Sequence, residues 1–247
     1  MPPDAMDLDP PSPPSAPDAE PCNPCVHLLP YARDTNEPIA HFLQRLPPAQ
    51  AALTAPAHLL PPWYWIANPH RSAYPAHPKD VPSFTREGAA LLQAFRQNMA
   101  SLGRGDYAVK EQLRECLQRE IGEAAKRRGV TAGKWMLFPQ VSEVNEVWRT
   151  VCEGVDANRL GTGAKVSTSG KEGDPARLIC VYTRDFTDVE DVKRVLYALV
   201  QMGLVRADMP RGIMYKCDAY TYLDIYGNNE YGLRASVYSS KEMLGER

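Results

Sequence analysis

Six cysteines, five histidines and a cluster of acids are the side chains of this sequence with catalytic or metal chemistry to offer. Cys22 and Cys25 form a lone C-x-x-C with His27 close by. A structural zinc site needs four ligands, and no second pair follows at a suitable spacing, so no metal is expected. The histidines (His27, His41, His58, His70, His77) all precede residue 81 in proline-rich or surface-helix surroundings. Nothing in the spacing brings one to Cys180, Cys217 or a serine for nucleophilic catalysis. Asp185, Asp188, Glu190 and Asp191 surround an expected helix start, where the helix dipole favours acids without general acid/base work. GTGAKVS (161–167) lacks phosphate-loop spacing and leads into a strand rather than a helix. The chain therefore reads as a binding protein, not an enzyme, with no catalytic residue and no cofactor.

Aromatic and basic side chains offer recognition instead. The stretch YKCDAYTYLDIYGNNEY (215–231) holds five tyrosines in seventeen residues. Its period-two pattern predicts a strand over 219–226. Ala219, Thr221, Leu223 and Ile225 would share one face, and Tyr220, Tyr222, Asp224 and Tyr226 the other. Aliphatic side chains suit a helix-packed face, so the tyrosines are expected to point away from the helices. Such a face can stack bases at roughly 1–3 kcal/mol each, although a solvated wall of good strand formers carries the same pattern. Lys134, Lys165, Lys171 and Arg177 fall on or beside predicted strands, where they would neutralise phosphate.

The elements that must position these side chains follow from patterning. The chain has 247 residues, 44% hydrophobic, with net charge −2. It can build a sizeable core, and any nucleic-acid claim rests on local patches. No basic n-region with an apolar h-region opens it, and no apolar run approaches the ~18 residues needed to span a bilayer. No membrane association is expected. The cysteines read as reduced, mostly buried thiols. A cytoplasmic protein follows, with the nucleus as a second compartment through Lys126-Arg127-Arg128, although a charge cluster at a helix C-terminus accounts for those residues more simply.

Twenty of the 23 prolines lie at or before Pro82, and the first 25 residues hold five acids and no Lys or Arg. Residues 1–29 are therefore expected to be a disordered tail, followed by a single domain over 30–247. A short helix capped by Asn36, a strand WYWIA (63–67) and a long proline-rich loop (68–82) come first. Helices start at Ser83 or Thr85 and at Asp106, the second ending at Gly129. After Gly133 the pattern is strand 133–138, a helix from Ser142, strands 163–168 and 177–183, and a helix opened by a Thr187-x-x-Glu190 capping box and stopped by Gly203. Strands at 213–218, 219–226 and 233–238 complete it. The fold class is α+β: an antiparallel sheet with helices on one face.

The segments WIA (65–67), GKW (133–135), AKVS (164–167), ICVYTRDFTD (179–188) and YKCDAYTYLDIY (215–226) closely resemble the uncharacterised basophilic leukemia-expressed protein family, over about Asn36 to Met243. That family is similar in fold to translation initiation factor 4E, the mRNA cap-binding protein. The resemblance implies a curved antiparallel sheet, helices on its convex face and a ligand cleft on the concave face. Cap binders sandwich a methylated, positively charged guanine between two loop tryptophans beside a glutamate. Here Trp63, Trp65 and Trp135 lie on predicted strands and Trp148 on a helix's inner face, so neither loop tryptophan is present. Tyr74 lies in the loop where the first stacking residue would be expected.

The leading expectation is RNA or nucleotide binding on the concave face through Tyr74, Tyr220, Tyr222 and Tyr226, with Lys134, Lys165, Lys171 and Arg177 on the phosphates. The alternative is a protein–protein adaptor with a vestigial cleft.

Overall fold

The computed structural model describes residues 30–51, 60–70, 78–103, 105–170, 176–206 and 209–245. The proposed tail, the Cys22/Cys25 pair, His27, His58, His77, Tyr74 and Lys171 lie outside them. The fold is α+β, with six strands and, among the described residues, seven α-helices. The chain divides into two compact units. One holds 30–70, 132–216 and 238–245; the other holds 78–131 and 217–237.

The first unit carries the sheet. Its strands are β1 (Trp63–Ala67), β2 (Gly133–Leu137), β3 (Gly163–Ser167), β4 (Ile179–Thr183), β5 (Met214–Cys217) and β6 (Tyr238–Ser239), in the order β1-β3-β4-β2-β5-β6. Pairing is antiparallel between neighbours. Outside β1, Ala32 makes an isolated parallel bridge to Trp65, with Arg33 N–H donating to the Trp65 carbonyl and Trp65 N–H to that of Tyr31.

Two crossovers fix the helices. The β2-to-β3 link passes over β4 one way through α4 (Val144–Asp156), and the β4-to-β5 link passes over β2 the other way through α5 (Val189–Gln201). Because the two strand pairs run in opposite directions, right-handed connections put both helices on the same face. That face is apolar: Tyr64, Ile66, Trp135, Leu137, Ala164, Val166, Ile179 and Val181 are all buried. Val144, Trp148, Val151 and Val155 of α4 and Val192, Val195, Leu196 and Leu199 of α5 are buried too, at helical spacing. Trp135 Nε1–H donates to the Val192 carbonyl at 3.1 Å. On this side Tyr215 packs edge-on to Trp135 and shares a hydrogen bond of 2.5 Å with Thr183 Oγ1.

The short α1 (Ile39–Arg45) follows Pro38, not an Asn36 cap as expected; Asn36 N–H instead turns back to Asp34 Oδ1. Arg45 ties α1 down by donating to Glu37, to the Pro30 carbonyl and to the Ala32 carbonyl. The hydrogen bond from Arg45 holds the Glu37 carboxyl below its ordinary pKa. A depressed carboxylate pKa stabilises the fold above the unfolded-state value, and the contribution is lost as pH falls through the folded-state value. The stability gap between wild type and Glu37→Gln is therefore expected to shrink as pH is lowered from about 6 to about 3. Urea midpoints measured across that range check it; a gap independent of pH refutes it.

The second unit is built on α2 (Val81–Ala100) packed against α3 (Tyr107–Arg127). The α2 cap is Asp80, which accepts from Ser83 N–H, so the helix starts before the predicted Ser83 or Thr85. At the same end of the pair, where Asp80 N–H donates to the Arg128 carbonyl, Gly129 (φ 67°) ends α3 in the left-handed conformation expected of it. Glu87 accepts from both Arg127 and Arg128, which holds its carboxyl below the ordinary range.

Three predicted features are corrected. Residues 219–226 are not a strand: α6 (Asp218–Tyr222) is followed by a turn with Asp224 at φ 55° and Asn228 at φ 57°. Asp218, Ala219 and Tyr220 are buried in succession, and Ile225 N–H donates to the Tyr220 carbonyl as the chain leaves the helical turn. A period-two run this short fits one helical turn equally well, and Asp218 in the first turn favours it electrostatically. Residues 233–238 pair as a strand only at Tyr238, which leads through β6 into α7 (Ser240–Leu244). Finally, α5 is capped by Asp188 accepting from Asp191 N–H, not by a Thr187 capping box; Thr187 donates from its N–H and hydroxyl to Asp185 Oδ1.

Candidate functional site

Strand alternation puts a second set of side chains on the face opposite α4 and α5. β1 contributes Trp63 and Trp65 and β3 contributes Lys165, directly opposite Trp65. From β4 come Cys180, opposite Lys165, and Tyr182. β2 adds Lys134, opposite Tyr182, and Met136, opposite Cys180. Since Tyr215 of β5 lies on the helix side, its neighbour Lys216 points to this one. Three lysines and three large aromatics thus share one sheet face.

Lys165 is the centre of the cluster. Its ammonium sits 3.9 Å from the centroid of the Trp63 ring, 5.0 Å from Trp65 and 5.9 Å from Tyr182. Lys134 Nζ approaches the same Tyr182 ring at 5.7 Å, and Trp65 stacks on Tyr182 with ring planes 21° apart. The face is largely shielded: Lys165 is 1% exposed, Lys134 4% and Lys216 8%, while Trp65 and Met136 reach solvent in part. A desolvated ammonium over an aromatic ring gains about 2 kcal/mol, far more than an exposed one, so shielding strengthens the arrangement.

Of the predicted site residues, Lys134 and Lys165 are brought together here. Arg177 stands just before β4, half-buried, its backbone N–H donating to the Pro139 carbonyl. Tyr220, Tyr222 and Tyr226 belong to the other unit. Tyr220 is 3% exposed on α6, where burial pushes its phenol well above the ordinary range; Tyr222 and Tyr226 are half-buried. The strand face that was to align the three is absent.

Sequence reasoning missed Trp63, Trp65, Tyr182 and Lys216 as members of a site. The alternation of WYWIA already separates Trp63 and Trp65 from Tyr64 and Ile66; placing Lys165 between them needs the cross-strand register, which sequence does not supply.

Three acids around the start of α5 are held by hydrogen bonds. Asp185, Asp188 and Asp191 accept from Thr187, from the α5 N-terminus and from Arg194 respectively. Cys116, Cys152, Cys180 and Cys217 are in no disulfide, with Cys152 wholly buried and its pKa pushed well up by that burial. Among the described residues no group of three His, Cys, Asp or Glu converges as metal ligands, and no helix is long and apolar enough to cross a membrane. On the helical side a groove of about 290 Å³ lies between α1, the turn at Pro47–Pro48 and α4, lined by Leu43, Gln44, Asn145 and Arg149 among others.

The family model described as basophilic leukemia-expressed protein Bles03 matches residues 5–224, a span that includes all five of the longer strands and both sheet-packing helices. The chain belongs to the basophilic leukemia-expressed protein family.

Proposed function

We propose that this chain is a non-enzymatic binding protein that takes RNA or a nucleotide on the sheet face of Trp63, Trp65, Tyr182 and the three lysines. In this reading the sheet is of the initiation-factor-4E type, with that face its concave side, and the protein works in the cytoplasm or nucleus. The observation that carries the proposal is the convergence of Lys134 and Lys165 on one set of rings. Aromatic faces stack bases and cations neutralise phosphates, and single-strand binders combine the two. Because both lysines are shielded, a ligand reaches them only as their covering gives way, and slow association is expected.

The test is a titration of the full chain with single-stranded RNA carrying a 5′-triphosphate, at several salt concentrations. Three lysines on phosphate give a log–log salt slope of about −2. Lys134→Met, which keeps the volume and removes the charge, is expected to weaken binding about tenfold and flatten the slope by about 0.7. Salt-independent binding, or an unaffected variant, sinks the proposal.

A second reading, a protein–protein adaptor whose cleft is filled by its own side chains, is favoured by the shielding of the cage and by the open groove beside α1. Under it RNA titrations stay flat, and Arg149→Glu rather than the lysine variants disturbs partner binding.

A further inference from the structure

Rings arranged around a point of high negative potential form a site for a cation. Here that point is taken. Lys165 belongs to β3, paired with β1 on one side and β4 on the other, so its backbone is fixed in the sheet interior and its side chain rises between the rings of both neighbours. Its burial leaves no alternative position in water for the ammonium. A second cation entering among Trp63, Trp65 and Tyr182 would meet Lys165 within a few ångströms, with Lys134 also 5.7 Å from the Tyr182 centroid.

Resting on the nucleotide-binding reading, we infer that Lys165 is a built-in occupant of this aromatic cage, so that the face accepts nucleotides through their phosphates with a neutral base. Ligands whose recognised group is itself a cation, such as an N7-methylated guanine or a quaternary ammonium, are turned away. The repulsion between two unit charges about 5 Å apart near a protein surface corresponds to about a hundredfold in affinity. Phosphates meet the opposite situation, since the cation that excludes a charged base attracts them.

The experiment compares GTP, 7-methyl-GTP and tetramethylammonium chloride on the full chain, read by tryptophan fluorescence and calorimetry. Wild type is expected to bind GTP at least tenfold more tightly than 7-methyl-GTP and not to bind tetramethylammonium. Lys165→Ala opens the cage and is expected to gain tetramethylammonium binding, seen as quenching and a raised Tm, while losing GTP affinity. Lys165→Met keeps the cage filled without the charge and guards against a misfolded alanine variant; its preference for GTP over 7-methyl-GTP is expected to fall toward unity. Tighter wild-type binding of 7-methyl-GTP than of GTP overturns the inference. So does an unchanged preference in Lys165→Met, or a folded Lys165→Ala that ignores tetramethylammonium. Absence of GTP binding to wild type overturns the nucleotide reading, and the tetramethylammonium arm then decides the cage by itself.

Discussion

Gly161→Ala is expected to lower the stability of the sheet-bearing unit by about 3 kcal/mol or more, the upper end of what overpacking costs. A Cβ at 161 would lie 1.8 Å from the Tyr182 carbonyl oxygen and 2.9 Å from its carbon. Neither side can retreat. The Tyr182 carbonyl accepts from Thr162 N–H at 2.9 Å, and the Gly161 carbonyl accepts from Asn68 Nδ2 at 3.0 Å. The glycine is needed for close approach of two backbones, not for an unusual dihedral angle. Gly122 is the control: it lies inside α3 with nothing within 4 Å of an added Cβ. Gly122→Ala is expected to stabilise by about 0.5–1 kcal/mol through helix propensity. Urea denaturation of both variants checks the pair, and equal effects would refute the account.

Trp135→Ala is the second large effect, expected at about 3–5 kcal/mol. Trp135 is fully buried on β2, between β4 and β5 in the sheet. Removing its ring leaves Tyr215, 5.2 Å away centroid to centroid, without its edge-on neighbour, and takes from α5 the indole hydrogen bond at Val192. Trp148 offers a contrast. It is equally buried and tilted against Phe42, yet its Nε1 has no hydrogen-bond partner among the described residues. Trp135→Phe is therefore expected to cost about 1 kcal/mol more than Trp148→Phe, the net worth of a hydrogen bond. Equal denaturation midpoints for the two phenylalanine variants would contradict this.

Which parts of the fold were readable follows from how much chain each signal averages over. The helices around Leu117-Ile121, Val144-Val155 and Val192-Leu199 repeat their apolar stripe through several turns, and Gly129 and Gly203 stop two of them with φ of 67° and 72°. Caps depend on one side chain each. Asp80 and Asp188 compete locally with Ser83, Thr85 and Thr187, and the sequence does not say which carboxylate will face the free N–H groups. At 218–226 the run is too short to separate period 2 from period 3.6, and the tertiary environment chose a helical turn.

The candidate site divides the same way. Lys134 and Lys165 could be chosen as basic residues on strands, but cation–ring proximity is a cross-strand property. It rests on the Trp65↔Lys165 and Lys134↔Tyr182 registers, set by residues far apart in the chain.

The bridge at Ala32 has a bearing on solubility. An open sheet ends in rows of unpaired backbone groups that invite a foreign strand. On the β1 side, residues 31–33 already engage both the N–H and the carbonyl of Trp65. On the other side β6 is two residues long before the chain turns into α7, too short a template for a stranger to extend. The β1 margin is thus interrupted at its middle residue and the β6 margin is short, so recruitment of another copy is disfavoured, and concentrated solutions of this protein are expected to resist ordered self-association even though its strands are among its most apolar segments.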